Sequence, residues 1–207
     1  MSEARRTGRA EANRRHILAV ATRELIRDPD ASMDDIARAA GVVRRTVYGH
    51  FPSREALIEG IADEVAREVT DALSRATTGV TSPVDALVAA TTATWAIGDR
   101  YRLLISLAQR NLTGGGIRDH LRPAREGVAG LLEEGARRGD FTRHLPPSVL
   151  AHALESLILG LLQAVNDGLW QSADPAREVA RTCLIAAGVP AADADAAVNG
   201  QARAVTA

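Results

Sequence analysis

The polar side chains best suited to chemistry lie in one short segment, Arg44 to His50. Arginine can pair bidentately with the O6 and N7 atoms of guanine, and tyrosine, threonine and histidine can donate hydrogen bonds to phosphate oxygens. Arg44, Arg45, Tyr48 and His50 fall where a short helix would present them outward. For the two arginines, the alternative is a solvated charged face. The residue types in this segment predict contact with duplex nucleic acid.

Two short helices separated by a turn must position these side chains. Ser32, with Asp35 three residues later, suits the start of one helix, and Gly41 allows the sharp change of direction before the next. Helices this short survive only when they pack on neighbours. A shared apolar face is available in Ile36, Ala37, Ala40, Val42, Val47 and Phe51, which can pack against Ile17, Ala21 and Leu25. The pattern predicts a helix-turn-helix.

The positive charge of the chain is concentrated at its N-terminus. The 207 residues carry a formal net charge of −1, and all 25 basic residues are arginine. Residues 1–27 hold seven arginines against three glutamates, which gives that end a net charge of +4. Such an asymmetry is typical of a nucleic-acid-binding module, although on its own it indicates one only weakly.

The composition excludes several other classes of protein. Hydrophobic residues at 46% and charged residues at 25% predict a folded globular chain. The single cysteine, Cys183, excludes an intramolecular disulfide framework and a four-cysteine zinc site, and it suits a reducing cytosol. The N-terminus lacks a signal-peptide core, and no segment approaches the roughly 18 apolar residues of a membrane helix. We therefore expect a cytoplasmic protein without a membrane partner.

Helical spacing of apolar residues runs through the chain, and no segment shows the sustained alternation of a strand. The spacing predicts an all-α fold of about nine helices. Pro123 is expected to kink the seventh helix or to mark its true start. The last stretch, 189–207, has no apolar stripe and is predicted to be a disordered tail. The helices are predicted at roughly 10–27, 33–40, 44–50, 54–77, 83–97, 100–112, 117–138, 147–167 and 175–187.

The segment from Ser32 to Leu57 resembles the signature of the TetR family of bacterial transcriptional regulators. The matching positions are Ile36-Ala37, Ala40-Gly41-Val42, Thr46-Val47-Tyr48, His50-Phe51, Ser53-Arg54-Glu55 and Leu57. The resemblance implies an N-terminal three-helix DNA-binding domain of helix-turn-helix type at residues 1–53. It also implies a C-terminal helical domain for ligand binding and dimerisation at 54–188.

The resemblance also implies roles for individual residues at the DNA. It assigns Tyr48 and His50 to the phosphate backbone, Thr46 to backbone or base edge, and Arg54 to a phosphate at the start of the fourth helix. Arg44 and Arg45 occupy the variable positions that read bases. The sequence departs from the family at two positions. Val43 stands where a serine or threonine usually caps the recognition helix, and Gly49 replaces a bulkier residue.

The apolar residues of the eighth predicted helix occupy a stripe too wide for one core-facing side. With the ninth helix it resembles the pair that forms the family's dimer, a four-helix bundle between two subunits. The alternative is a helix buried wholly within its own chain. The candidate interface residues are Leu150, Leu154, Leu157, Leu161, Val179 and Cys183.

A ligand cavity is a further implication of the resemblance. Plain core packing is at least as good an explanation for each candidate, and small side chains around few aromatics would leave room for an apolar ligand. The candidates for lining the cavity are Trp95, Tyr101, Leu104, Leu121, Leu131 and Trp170.

Together these observations predict a homodimeric repressor that binds a palindromic operator in double-stranded DNA and is released by a small, mainly apolar molecule. Activation of transcription by the same fold is one alternative, and a helical enzyme is another with little support. No nucleophile–base pair, cofactor fingerprint or phosphate loop is present; the glycines at 114–116 suit a flexible connection. No catalytic residue, cofactor or metal site is predicted, since His16, His120, His144 and His152 lack ligand spacing.

Overall fold

The computed structural model describes residues 2–111 and 117–205, and every regular element in those residues is an α-helix. The predicted all-α fold class is confirmed. The ten helices are α1 (Ser2–Arg27), α2 (Met33–Ala39), α3 (Arg44–His50), α4 (Arg54–Thr77), α5 (Pro83–Asn111), α6 (Ile117–His120), α7 (Arg122–Arg138), α8 (Pro147–Asn166), α9 (Pro175–Ala186) and α10 (Ala191–Val205).

The helices form two compact units. The first unit contains residues 1–65 and 103–117, and the second contains 66–102 and 118–207. The long helices α4 and α5 therefore each contribute one part to each unit. This division does not follow the boundary expected between residues 53 and 54, because the first turns of α4 pack with the helix-turn-helix segment. A Cβ atom placed on Gly60 of α4 would lie only 2.9 Å from Phe51 and 3.1 Å from Leu18.

The core of the first unit is built from the apolar residues predicted to share a face. Ile17 and Leu25 of α1, Ile36 of α2 and Val47 of α3 are fully buried or nearly so, together with Phe51 after α3. Burying side chains of this size stabilises a fold by roughly 1.5–3 kcal/mol each, which explains how two seven-residue helices persist.

The second unit is held by close packing at glycines. A Cβ atom on Gly98 of α5 would lie 2.8 Å from Leu162 of α8, and one on Gly135 of α7 would lie 2.2 Å from the ring of Phe141. The continuous helix α5 corrects the prediction of two helices at 83–97 and 100–112. Gly98 favours a helix end in sequence, but here its missing side chain admits Leu162 and the helix continues.

The seventh predicted helix divides near the proline. Helix α6 ends at His120, and α7 begins at Arg122 with Pro123 in its first turn, so Pro123 marks a true helix start. The glycines at 114–116, predicted to form a flexible connection, lie outside the described residues.

The C-terminal stretch is helical, which corrects the predicted disordered tail. Ala194 and Val198 lie one turn apart on α10 and are buried, and Arg181 of α9 forms a two-pronged ion pair with Asp195. Alanine has the highest helix propensity, so a helix this rich in alanine forms with only two apolar residues packed in the core. Two residues make an apolar stripe too narrow to recognise in the sequence.

Helix α8 is more apolar than we expected of any segment. By length and composition alone it is able to cross a membrane, and only 28% of its apolar window is buried within the chain. Five of its residues, Leu150, Ala151, Leu154, Leu159 and Leu162, pack in the core. Its other apolar residues are half-buried, as Leu157 and Leu161 are, or exposed, as Val149 is.

Candidate nucleic-acid interface

The helix-turn-helix is fixed by hydrogen bonds at both ends of α2. Ser32 accepts a hydrogen bond from the backbone N–H of Asp35, whose carboxylate accepts one from Ser32 in return. After α2, Gly41 takes a φ of +65°, a left-handed conformation that glycine adopts without strain, and Val42 N–H donates to the carbonyl of Ala37 at 3.0 Å. These contacts set the direction in which α3 leaves the turn.

One residue decides which face of α3 meets solvent. Val47 is fully buried, and its side chain holds the helix against the first unit. Arg44 and Arg45 are exposed as a consequence, while Thr46, Tyr48 and His50 are half-buried. The structure therefore brings all five residues of the recognition segment onto one short helix with its polar side outward.

Arg44 is held by two neighbours. Its Nη1 atom lies 2.9 Å from Oδ2 of Asp34 on α2, and its Nη2 atom donates to the Tyr48 hydroxyl at 3.3 Å. The guanidinium carbon also lies 5.1 Å from the centre of the Tyr48 ring. The hydrogen bond to Tyr48, followed by the Asp34 charge, raises the pKa of Arg44, which stays fully charged. Sequence analysis missed Asp34, because nothing in a ten-residue separation indicates the pair.

Arg45 is the contrasting case. It is exposed and has no ion-pair partner among the described residues. Val43, immediately before α3, is 67% exposed and supplies no side-chain cap, as its replacement of serine or threonine implies. The start of the recognition helix is thus open to solvent, with one tethered and one free arginine.

Arg54 makes a contact within the first unit. Its guanidinium donates a hydrogen bond to the carbonyl oxygen of Pro29, in the connection between α1 and α2. Ser53 caps α4 by accepting from the N–H of Ala56 at 3.2 Å. The structure therefore gives Arg54 a role inside the first unit, and its guanidinium keeps further N–H donors for a phosphate.

The candidate ligand-lining residues are only partly brought together. Trp95 is buried and packs edge-to-face on half-buried Trp170, with ring centres 5.6 Å apart. Tyr101 is half-buried beside Glu68 and Arg100, and burial, followed by the hydrogen bond to Glu68, raises the pKa of the Tyr101 hydroxyl. The remaining candidates are Leu121 and Leu131, half-buried in the second unit, and Leu104, which is buried in the first unit.

Leu104 lines an apolar cavity of the first unit with residues from α1, α4, α5 and α6. The volume of this cavity is about 10 Å³, roughly the space that one water molecule needs. In this form of the protein it is too small for an organic ligand. Its walls include Leu25, Ile58, Ile61 and Ile117.

Four of the six candidate dimer residues are already buried within the chain. Leu150, Leu154, Val179 and Cys183 are at most 5% exposed, so they have no surface left to offer a partner. This corrects the interface assignment, because periodicity identifies an apolar face but does not say what covers it. Leu157 and Leu161 are half-buried. Burial raises the pKa of the Cys183 thiol to about 12, as suits a small buried hydrophobe.

An apolar surface that is open to solvent lies beside the buried face of α8 in the second unit. On α8 it comprises the exposed residues Val149, Ala153 and Gly160 and the half-buried Leu157 and Leu161, and α9 adds the exposed Ile185. Val149 is 48% and Ile185 39% exposed. We call this surface the α8 stripe. Among the described residues, no group of histidine, cysteine and acidic side chains is arranged to hold a metal ion.

The N-terminal part of the chain is similar in sequence to known bacterial regulators. Residues 17–61 match the model of the family described as bacterial regulatory proteins, tetR family. The chain is 40% identical over 73 residues to the HTH-type transcriptional regulator EthR of Mycobacterium tuberculosis strain H37Rv, which covers 33% of this chain and 34% of EthR. It is also 40% identical over 80 residues to the HTH-type transcriptional repressor LfrR of Mycolicibacterium smegmatis, covering 39% of this chain and 42% of LfrR. The chain thus spans about a third of the length of the first of these relatives.

Solved structures extend the likeness in fold to nearly the whole chain. RolR in complex with resorcinol superposes with a TM-score of 0.71 at 18% identity, covering 93% of this chain and 95% of RolR. A tetR-family regulatory protein from Rhodococcus RHA1 gives a TM-score of 0.70 at 21% identity, over 86% of this chain and 98% of that protein. At these identities the likeness shows the fold alone. The helix-turn-helix segment of this chain is therefore similar in sequence to the tetR family of bacterial regulatory proteins, and the rest of the chain is similar to it in fold.

Proposed function

We propose that this protein is a transcriptional regulator that binds double-stranded DNA through α3. The observation that carries the proposal is the burial of Val47, which turns Arg44 and Arg45 outward from a segment that matches the family model. An α-helix fits the major groove of B-DNA, where an arginine can pair with the O6 and N7 of guanine. Tyr48, Thr46 and His50 supply hydrogen-bond donors for the flanking phosphates.

We infer that the protein acts as a homodimer on a palindromic operator. The α8 stripe leaves Val149 and Ile185 in water, and covering it with the same stripe of a second copy would bury both. The exposed position of Gly160 has nothing within 4 Å of a would-be Cβ atom, so a partner helix can approach closely there. A two-fold dimer carries two copies of α3 and calls for two half-sites about 34–36 Å apart, or a multiple of that spacing.

We propose that a small, mainly apolar molecule controls DNA binding. The aromatic pair Trp95–Trp170 and half-buried Tyr101 in the second unit support such a site. Folds similar to this one have been solved with resorcinol, in RolR, and with stearoyl-CoA, in FadR of Bacillus subtilis. Helix α4 is continuous from Arg54 to Thr77 and contributes to both units, so it is the element that a ligand would displace.

Release of DNA by the ligand is the basis for proposing a repressor. An activator built on the same fold is the second candidate, and a promoter fused to a reporter distinguishes the two by the sign of the change on deleting the regulator. The relatives matched at 40% identity are named as regulators or repressors, which supports regulation over catalysis and a cytoplasmic place of action.

The proposed DNA binding is tested by selection from a library of random duplexes. The full wild-type chain, carrying a tag for recovery, should enrich an inverted repeat. Loss of enrichment in the Arg45→Ala and Arg44→Ala variants supports readout by α3. Failure of the wild-type chain to enrich any sequence would overturn the proposal.

A further inference from the structure

Asp34 is an acidic residue placed at a surface that has to face a polyanion. It lies in the first turn of α2, its side chain is 49% exposed, and its carboxylate pairs with Arg44 at 2.9 Å. Next to a phosphate backbone, a carboxylate is repelled and weakens binding. The placement therefore needs an explanation.

Capping of α2 does not supply the explanation. The reciprocal hydrogen bonds between Ser32 and Asp35 already cap this helix. The pKa of Asp35 is lowered, chiefly by the side-chain hydrogen bond with Ser32, whereas the side chain of Asp34 pairs with Arg44. Asp34 is directed at the recognition helix and Asp35 at its own helix.

The tethered guanidinium keeps unused N–H donors. A guanidinium has five N–H donors, of which Asp34 takes one on Nη1 and Tyr48 one on Nη2. Three donors remain, and bidentate pairing with guanine needs two. Arg44 thus has enough donors left to contact a base while it stays paired with Asp34.

We propose that Asp34 is a specificity-determining residue of the DNA interface, which acts by holding Arg44 for a base edge and against a phosphate. This inference rests on the proposed function. The carboxylate cancels the charge that would draw Arg44 to any phosphate, and the Tyr48 ring restricts the arm to one direction. Both effects penalise non-specific complexes. At a matching guanine, little conformational freedom is left for Arg44 to lose.

The second arginine of the helix provides an internal contrast. Arg45 has no ion-pair partner among the described residues, so its attraction to phosphates is not cancelled. Arg45 therefore adds affinity for any duplex to its reading of a base, whereas Arg44 is suited to discrimination between duplexes.

The test compares affinities of the full chain for two duplexes, measured by fluorescence anisotropy. One is the duplex enriched by the wild-type chain, and the other is a scrambled duplex of the same length and base composition. Asp34→Asn removes the charge and keeps the shape of the side chain. Asp30→Asn is the matched control, because Asp30 is an exposed acid of the same unit with no described side-chain partner.

Asp34→Asn should tighten binding to the scrambled duplex and reduce the ratio of the two affinities by about tenfold, because each subunit gains one effective phosphate contact. Asp30→Asn should leave the ratio within about twofold of wild type, since the carboxylate that pairs with Arg44 is that of Asp34 and not that of Asp30. In an Arg44→Ala background, Asp34→Asn should have no effect on the ratio. Asp34→Glu, which keeps the charge, should retain most of the discrimination.

Three outcomes would overturn the inference. They are an unchanged ratio in Asp34→Asn, an equal fall in Asp30→Asn, or the same fall when Arg44 is already alanine. If Asp34→Asn does not fold, as judged by circular dichroism, Asp34→Ser is measured in its place, because serine is accepted in the first turn of a helix. If the wild type enriches no duplex at all, the proposed function fails and this inference with it. If wild type and Asp34→Asn both prefer the enriched duplex by the same ratio, this inference is refuted and the proposed function stands.

Discussion

Arg54, at the first position of α4, donates a hydrogen bond to the carbonyl oxygen of Pro29, 25 positions earlier in the chain. The bond joins the start of α4 to the connection that leads into α2. The arginine that the family resemblance assigns to a phosphate thus holds together the elements that carry α3.

The first prediction concerns this contact. Arg54→Ala should lower the free energy of unfolding by about 1 kcal/mol, because a charged donor is lost from a carbonyl that keeps some access to water. Arg38→Ala is the control, since Arg38 forms an exposed ion pair with Asp35 one turn away on its own helix, a kind of pair that contributes about 0–1 kcal/mol. Urea unfolding measures both. Equal, negligible losses would show that the bond to Pro29 contributes nothing.

The second prediction uses two glycines of α7. Gly135→Ala should destabilise the protein by about 1–3 kcal/mol, because the new methyl group would meet the stiff ring of Phe141. Gly130→Ala, on the same helix with nothing within 4 Å, should instead stabilise it by about 0.5–1 kcal/mol through helix propensity. Thermal or urea unfolding gives both values. A stable Gly135→Ala variant would contradict the packing described around Phe141.

The third prediction tests the α8 stripe. Ala153→Arg should produce a folded monomer, because a charged side chain would be forced into the covered surface between two copies. Leu169→Arg is the control, since Leu169 is 80% exposed and lies after α8, away from the stripe. Sedimentation at micromolar concentration should show a dimer for wild type and for Leu169→Arg. A wild-type monomer, or a dimer in Ala153→Arg, would refute this surface as the interface.

The fourth prediction concerns Cys183. Because burial raises the pKa of its thiol from 9.0 to about 12, the native protein should react negligibly with a thiol reagent at pH 8. A folded-state pKa above the unfolded value adds stability below pH 9, and this share is lost as the pH rises towards 12. The stability difference between wild type and Cys183→Ala should therefore shrink over that window. Rapid labelling of the native thiol would show that Cys183 is accessible.

The local parts of the fold could be predicted from the sequence. Ser32, Asp35 and Gly41 act on neighbours within a few residues, so the helix-turn-helix and the outward side of α3 followed from spacing alone. The predicted break between residues 97 and 100 was wrong for the same reason, because the place of Gly98 inside α5 depends on Leu162, which is far away in sequence.

The partners of the candidate site could not be predicted in the same way. Asp34 and Arg44 are ten residues apart, and Arg54 and Pro29 are 25 apart, so both contacts depend on how helices pack. Helix α8 shows the same limit. Its apolar residues were recognised, but whether Leu154 or Val149 faces the core is decided by neighbours that periodicity does not identify.

The central claim, that α3 reads bases in the major groove, is tested most directly by methylation interference at guanine N7 on the duplex enriched by selection. Methylation should block binding at guanines placed symmetrically in the two half-sites, and Arg45→Ala should lose the interference at one guanine in each half-site, because the contact to N7 is gone. Two results would contradict major-groove reading by this helix. One is binding that methylation of no guanine affects, and the other is an interference pattern that neither Arg45→Ala nor Arg44→Ala changes.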